Sequence, residues 1–325
     1  MSHIFLELPL GQLGRAPYEA YSLDAHDLPT ADSGLEINPE GNVHVVENIA
    51  GFVGSDTTSV ALATDMLSAE QMTLIVDVGT NGELVLGTKD RLYAASCAAG
   101  PAFEGARIAQ GSRAVAGAIE AVVINDDDIA LDVIGTAAPR SICGSGLIDA
   151  VAVLLELGVV DGTGRFVERE KFAEQLAPAI LSRILEHNGQ PAFRLSAAER
   201  ANGKPVLLTQ RDVRETQLAK AAIRAGIKLL QQKIGLDDRD IERVLLAGAF
   251  GNYIRPQNAL RIGLLPAVGP ERIHFVGNAA SSGAEMILVS RNCRDQAREL
   301  ARRIEYVEIA HQPSFHDVFT DSLLF

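Results

Sequence analysis

Residues 76–87 read VDVGTNGELVLG, and their residue types suit phosphate chemistry. The apolar run Leu74, Ile75, Val76 ends in an acid, Asp77, followed by Gly79, Thr80, Asn81 and Gly82. A second strand, Glu83 to Leu86, follows at once. Glycines at such a tip free backbone amides to point inward, and Thr80 and Asn81 add short polar donors, so the turn can cradle phosphate oxygens. An acid at the end of the first strand can hold Mg2+ through water, because that ion keeps much of its hydration shell. The competing reading is a tight turn in which Asp77 only caps local amides. A P-loop is excluded, since no GK[ST] follows and the next element is a strand.

The elements around this hairpin repeat one pattern of strand, glycine turn and helix. A strand at His44 to Val46 leads through Asn48, Gly51 and Gly54 into a helix from about Asp56. Val244 to Leu246 precede Gly248 and Gly251, and Ile273 to Val276 precede Gly277-Asn278 and a helix reaching Met286. Strands alternating with helices predict an α/β sheet with parallel members, and the first and last units suggest a duplicated lobe. The spacing of Ala219, Ile223, Ile227, Leu230 and Ile234 predicts one long helix, opened by a Thr209/Asp212 capping box and closed by Gly235. Leu147, Val151, Leu154 and Leu155 predict another after Gly144-Ser145-Gly146, whose amides can serve an anion or merely start the helix. The run Asn125 to Asp128 reads as a solvated turn, and 165–204 as an insertion.

Composition bounds the rest. The 325 residues are enough for two lobes, 47% are hydrophobic, and the net charge is −13 with a pI near 5.0. That field argues against a nucleic-acid partner. No stretch reads as a membrane span or a leader, which makes the cytoplasm the default. Cys97, Cys143 and Cys293 are too few and too scattered for a four-cysteine cluster, and read as small residues in a reducing compartment. His311 and His316 have no matching ligand pattern.

In chain order, the Asp-x-Gly-Thr hairpin, the long helix, Gly248-Ala249-Phe250-Gly251 and Gly277-Asn278 resemble one lobe of the actin, Hsp70 and sugar-kinase superfamily. The stretches NIAGFVGSDTT, DVGTNGELVLG, AAGPAFEGARI, TQRDVRETQLAKAAIRAGI, LLAGAFGNYI and GNAASSGA together resemble the C-terminal ATPase domain of the reductive activators of corrinoid proteins, over about Leu13 to Phe325. The resemblance implies an α/β, ribonuclease-H-like (actin-like ATPase) fold, ATP or ADP with Mg2+ as ligands, and a corrinoid protein partner whose cobalt is returned from the (II) to the (I) state. It places phosphates at Asp77, Gly79, Thr80, Asn81 and Gly82, with Asp77 also the Mg2+ residue through water. It places adenosine at Gly248, Ala249, Phe250 and Gly251, with Glu215 and Lys220 reaching the purine and ribose. The interlobe hinges fall at Asn48, Gly51, Gly54 and Asp56 and at Asn278, Ser281 and Gly283. For Glu215 and Lys220 an exposed helix face is the competing reading. The loop Ala98 to Gly105 is open between a place beside the phosphates and a subunit contact.

The resemblance also carries departures. No iron–sulfur module and no first-lobe hairpin are evident, so the expectation is one complete lobe, 68–325, with the remainder of another and its hinge, 1–67. Such a chain should bind nucleotide weakly, turn over little ATP alone, and self-associate as a homo-oligomer. Two alternatives stand beside this reading. One is a small-molecule kinase of the sugar-kinase type, for which Asp56 is the only acid near a hinge glycine to act as base. The other is a non-catalytic assembly module of the same fold.

Overall fold

The computed structural model describes residues 1–15, 18–168, 175–201, 203–248 and 253–325. The chain opens with α1 (Ser2–Phe5), β1 (His26–Pro29), α2 (Thr30–Ser33) and β2 (Asn42–Val45), then enters α3 (Ser55–Ala63). A meander follows: β3 (Thr73–Val78), β4 (Gly82–Thr88) and β5 (Arg91–Cys97). Next come β6 (Ala118–Asn125), β7 (Asp128–Val133), β8 (Ser141–Ile142) and α4 (Gly144–Glu156). After α5 (Pro178–Leu181), the strands β9 (Ile184–His187), β10 (Gln190–Ser196) and β11 (Val206–Thr209) lead into α6 (Gln210–Ile234). The last part holds β12 (Arg243–Ala247), α7 (Pro256–Arg261), β13 (Ile273–Gly277), α8 (Ala279–Val289), α9 (Arg291–Arg303), β14 (Ile304–Tyr306) and α10 (Phe315–Asp321).

The central sheet has six strands in the order β13-β12-β3-β4-β5-β14. β3, β4 and β5 are antiparallel, while β12 runs parallel to both β3 and β13. An antiparallel meander extended by parallel strands from later in the chain is the ribonuclease-H-like, actin-like arrangement. The side-chain period of two divides its two cores. Leu74, Val76, Leu84 and Leu86 face α6, whereas Ile75, Val85 and Leu245 face the layer of α3, α8 and α9. Both sets are buried, so these strands read as near-continuous apolar runs.

α6 begins with the Thr209/Asp212 capping box and ends at Gly235, in the left-handed conformation with φ 72°. It lies close on β4 and β5 because Gly226 has no side chain: a β-carbon there would run into the Cys97 sulfur. Gly146 does the same for α4, whose first turn lies against the Ile119 carbonyl. Gly146 of the Gly-Ser-Gly run is therefore accounted for by close helix–strand packing.

Three expectations take a more specific form in the structure. The segment read as an insertion is a three-stranded sheet, β11-β10-β9, and runs on to Thr209; residues 169–174 lie outside the described residues. The run Asn125 to Asp128 does turn the chain between β6 and β7, but Asp128 is not simply solvated. Arg183 holds it with two hydrogen bonds, 2.5 and 2.7 Å. The suggested duplication is also only partial: β2 pairs with β1 in a separate two-stranded sheet, while β13 belongs to the central one.

Candidate functional site

Three turns meet at the carboxyl ends of the parallel strands β3, β12 and β13, which is where open α/β sheets leave a crevice for ligands. β3 delivers Asp77 and the hairpin, β12 delivers Gly248, and β13 delivers Gly277 and Asn278. The Gly248 amide donates to the Gly277 carbonyl at 2.9 Å, tying the second turn to the third. Gly248 has φ 99° and sits so close to the hairpin that a β-carbon would lie 2.8 Å from Asp77 Oδ1. Both facts require glycine. Ala249, Phe250, Gly251 and residue 252 lie outside the described residues.

The hairpin places two acids opposite each other. Asp77 on β3 pairs across the ladder with Glu83 on β4, and both side chains point to the sheet face covered by α3. Asp56, in the first turn of α3, adds a third negative charge from above. Burial, then the repulsion of Asp56, pushes the Asp77 carboxyl up to about 6. Burial, then Asp56 and Asp77, pushes Glu83 up to about 7. Sequence reading missed Glu83, because only the strand register puts it beside Asp77. Partly buried carboxylates that repel one another and supply only oxygen atoms suit a hard divalent cation. Among the described residues, no group of three or more His, Cys, Asp or Glu, these acids included, is arranged to hold a metal ion by itself, so a cation at Asp77 and Glu83 would take most of its ligands from water or a bound anion.

At the exposed tip, Thr80 Oγ1 donates to Glu104 Oε1 at 2.5 Å, and the Gly100 amide donates to the Thr80 carbonyl at 2.8 Å. The Ala98 to Gly105 loop therefore packs beside the hairpin. Gly79 donates its amide to the Asn81 carbonyl at 3.2 Å, within the turn. Gly82 also has a packing role. It is buried, and a β-carbon there would lie 2.9 Å from Ile223 Cγ1, so it is a packing glycine that lets α6 approach.

The two segments read as hinges are in direct contact. Asn48, buried, accepts from the Ser55 amide at 3.2 Å and so fixes the entry to α3, while Gly54 precedes the helix. Gly51 lies against the Tyr18 carbonyl, where no side chain fits. Asn278 caps α8 by accepting from the Ser281 amide at 3.2 Å. Gly283, one turn on, packs on the Ser59 carbonyl of α3, and a β-carbon would overlap it.

Lys220 and Glu215 are not on an exposed face, and Lys220 faces the C-terminal segment. Lys220 is 1% exposed; its ammonium donates to the Leu324 carbonyl and lies 5.1 Å from the centre of the Phe325 ring. Burial, then Lys228 and Arg224, lowers its pKa to about 7. One turn earlier, Gln217 donates to the Leu323 carbonyl at 2.8 Å, and the Phe325 amide donates to the Gly162 carbonyl at 2.9 Å. The last residues thus occupy the groove that Lys220 faces. Glu215 pairs with Arg107 at 3.7 Å, beyond the loop that flanks the hairpin.

A cavity of about 430 Å3 opens between that loop and the N-terminus of α4, lined by Glu104, Ser145 and Tyr253 among others. Glu104 touches the phosphate hairpin, and Tyr253 follows closely on the Gly248 turn. Both lie in stretches that carry the family resemblance, though neither residue was singled out there. Cys97 ends β5, Cys143 precedes α4, and Cys293 lies in the first turn of α9; all are free thiols on separate elements. Among the described residues, no helix is long and apolar enough to cross a membrane.

The fold and these turns define an actin-like nucleotide-binding module, and the chain belongs to a family of that kind. Residues 71–325 match the family described as the C-terminal domain of RACo, the ASKHA domain, and residues 1–69 match the RACo middle region. Across its whole length the chain is 39% identical to the corrinoid activation enzyme RamQ of Eubacterium limosum, covering 54% of that protein. It is 27% identical over 82% of its length to a [Co(II) methylated amine-specific corrinoid protein] reductase of Methanosarcina barkeri, covering 48% of it. A solved structure, the reductive activator for corrinoid,iron-sulfur protein, superposes with a TM-score of 0.90 over the entire chain at 36% identity and 51% of its own length. The chain spans about half the length of the curated relatives it matches.

Proposed function

We propose that this chain is the nucleotide-binding portion of a protein that reductively activates a corrinoid protein, coupling ATP to return of its cobalt from the (II) to the (I) state. The opposed carboxylates Asp77 and Glu83, at the carboxyl ends of three parallel strands and beside a Thr-Asn tip, carry the reading. Family membership and the relatives' names supply the corrinoid partner.

In this reading Thr80, Asn81 and the hairpin amides hold phosphate oxygens. The turn after Gly248 holds adenosine, with Tyr253 and the cavity beside it as the base site. Asp77, with Glu83, holds hydrated Mg2+, which when bound neutralises phosphate charge and fixes its orientation. Asp56 faces the same place from α3, so closing or opening α3 against the hairpin changes how much negative charge the phosphates meet. Lys220 is assigned to the C-terminal groove rather than to the nucleotide. Asn48, Gly51, Gly54, Asn278, Ser281 and Gly283 remain the hinge residues, now with α3 and α8 as one crossing pair. Residues 1–67 and 68–325 are the two structural units of the proposal.

The electron donor in this scheme is an iron–sulfur cluster held elsewhere than on Cys97, Cys143 and Cys293, and the setting is the cytoplasm. Self-association is proposed from the apolar end of α8, where Leu288 is 67% and Val289 82% exposed. Calorimetric titration of the chain with ADP and Mg2+ tests the nucleotide site: saturable, Mg2+-dependent binding that Asp77→Ala weakens is expected. Absence of any such binding would favour the assembly-module reading. Loss of ATP-dependent cobalt reduction in a full-length protein carrying Asp77→Ala tests the activity.

A further inference from the structure

A second cavity, of about 600 Å3, lies between the β9-β10-β11 sheet and the β6-β7 hairpin. Three arginines line it, Arg183, Arg194 and Arg200, on a chain whose net charge is −13. One acid, Asp128, offsets them, leaving a local charge of 3 − 1 = +2. Their roles differ. Arg183 is fully engaged: its Nε and one terminal nitrogen donate to Asp128, and the other donates to the carbonyls of Arg194 and Leu195. That bidentate bond holds the Asp128 carboxyl below its usual range.

Arg194 and Arg200 have donors to spare. Arg194 gives one bond, from a terminal nitrogen to the Ser182 carbonyl at 3.2 Å, while its Nε–H is buried with no acceptor. A buried charged donor left unpaired costs stability unless a ligand supplies an oxygen. Arg200 is exposed at the rim; its backbone amide donates to the Ala197 carbonyl, while its guanidinium makes no hydrogen bond or ion pair among the described residues. Ser196, 4% exposed, lines the same wall with its hydroxyl unpartnered among those residues. Opposite stand Ile129, Leu131 and Pro139, an apolar wall.

We propose that this cavity binds a phosphate monoester with an apolar organic part, at a site separate from the nucleotide hairpin. A dianionic phosphate matches the local charge of +2, where a carboxylate would leave one cation unbalanced. Planar guanidinium groups present paired donors suited to phosphate oxygens. The volume falls within the usual range for sites of small organic ligands, roughly 300–1,000 Å3.

Calorimetric titration with phenyl phosphate, benzoate and inorganic phosphate, in saturating Mg-ADP, tests the assignment. Phenyl phosphate should bind most tightly, and Arg200→Gln and Arg194→Gln should each weaken it roughly tenfold or more. Arg200→Gln is exposed and should melt like the wild type, so it decides the question even if Arg194→Gln unfolds. Its effect reads this cavity whether or not the hairpin holds nucleotide. No saturable binding of phenyl phosphate, equal binding of benzoate or inorganic phosphate, or an affinity unchanged by Arg200→Gln would overturn the proposal.

Discussion

Asp77 and Glu83 are direct cross-strand neighbours, and the charge of Asp77 makes Glu83 harder to ionise. Burial and Asp56 keep both protonated to higher pH than ordinary carboxyls, about 6 and about 7. Their folded values exceed their unfolded ones. Their stabilising contribution is therefore present in acid and lost as pH rises through that range. Chemical denaturation should show the chain losing stability between about pH 4 and about pH 7, and the Asp77→Asn, Glu83→Gln double variant should flatten that slope. An unchanged slope would mean the two carboxylates do not titrate there.

Mg-nucleotide affinity should move the other way, strengthening as the same carboxylates ionise. Asp77→Ala is expected to weaken Mg-ADP roughly tenfold or more without unfolding the chain, by loss of a charged ligand. Calorimetry at two pH values on either side of about 7 separates this from a general effect on stability.

Thr80→Val removes the hydroxyl that donates to Glu104 while leaving the exposed tip in place. Stability should change by no more than about 1 kcal/mol, as for one exposed hydrogen bond. Affinity for Mg-ADP should fall more than stability does. A variant that binds as tightly as the wild type would remove the tip from the phosphate site.

Gly283→Ala should destabilise the chain by about 1–3 kcal/mol, because a methyl group overlaps the Ser59 carbonyl and forces α3 and α8 apart. Ser282→Ala, exposed on the same helix, should change little and serves as the control. Thermal or urea unfolding measures both.

Lys220→Ala should cost about 2–4 kcal/mol, since it deletes a buried side chain and leaves the Leu324 carbonyl without its donor. Hydrogen exchange should rise at residues 323–325, while Mg-ADP affinity holds. The reverse pattern, weaker nucleotide binding with a protected C-terminal segment, would return Lys220 to the purine.

What could be read from the sequence were features written in short stretches. The Thr209/Asp212 cap, the stripe of α6 and the Gly-Thr-Asn-Gly tip all lie within a few turns or residues, so local spacing suffices. Glu83 stands only six residues from Asp77, yet its significance needed the β3-β4 register. Gly82 and Gly283 looked like turn or hinge glycines, but the reasons for them are Ile223 and Ser59, distant in sequence. The partners of Lys220 were hidden for the same reason: they are a hundred residues further along, and no local pattern announces them.

The seating of Gly283 on the Ser59 carbonyl has a mechanical side. Two helices touching through backbone can roll or pivot about the contact, but they cannot separate without exposing the apolar layer beneath the central sheet. α3 carries Asp56 at one end, and α8 grows from the strand that shares a hydrogen bond with Gly248. The crossing therefore works as a fulcrum. A small displacement at the strand ends would tilt α3 about this point and carry Asp56 toward or away from Asp77 and Glu83.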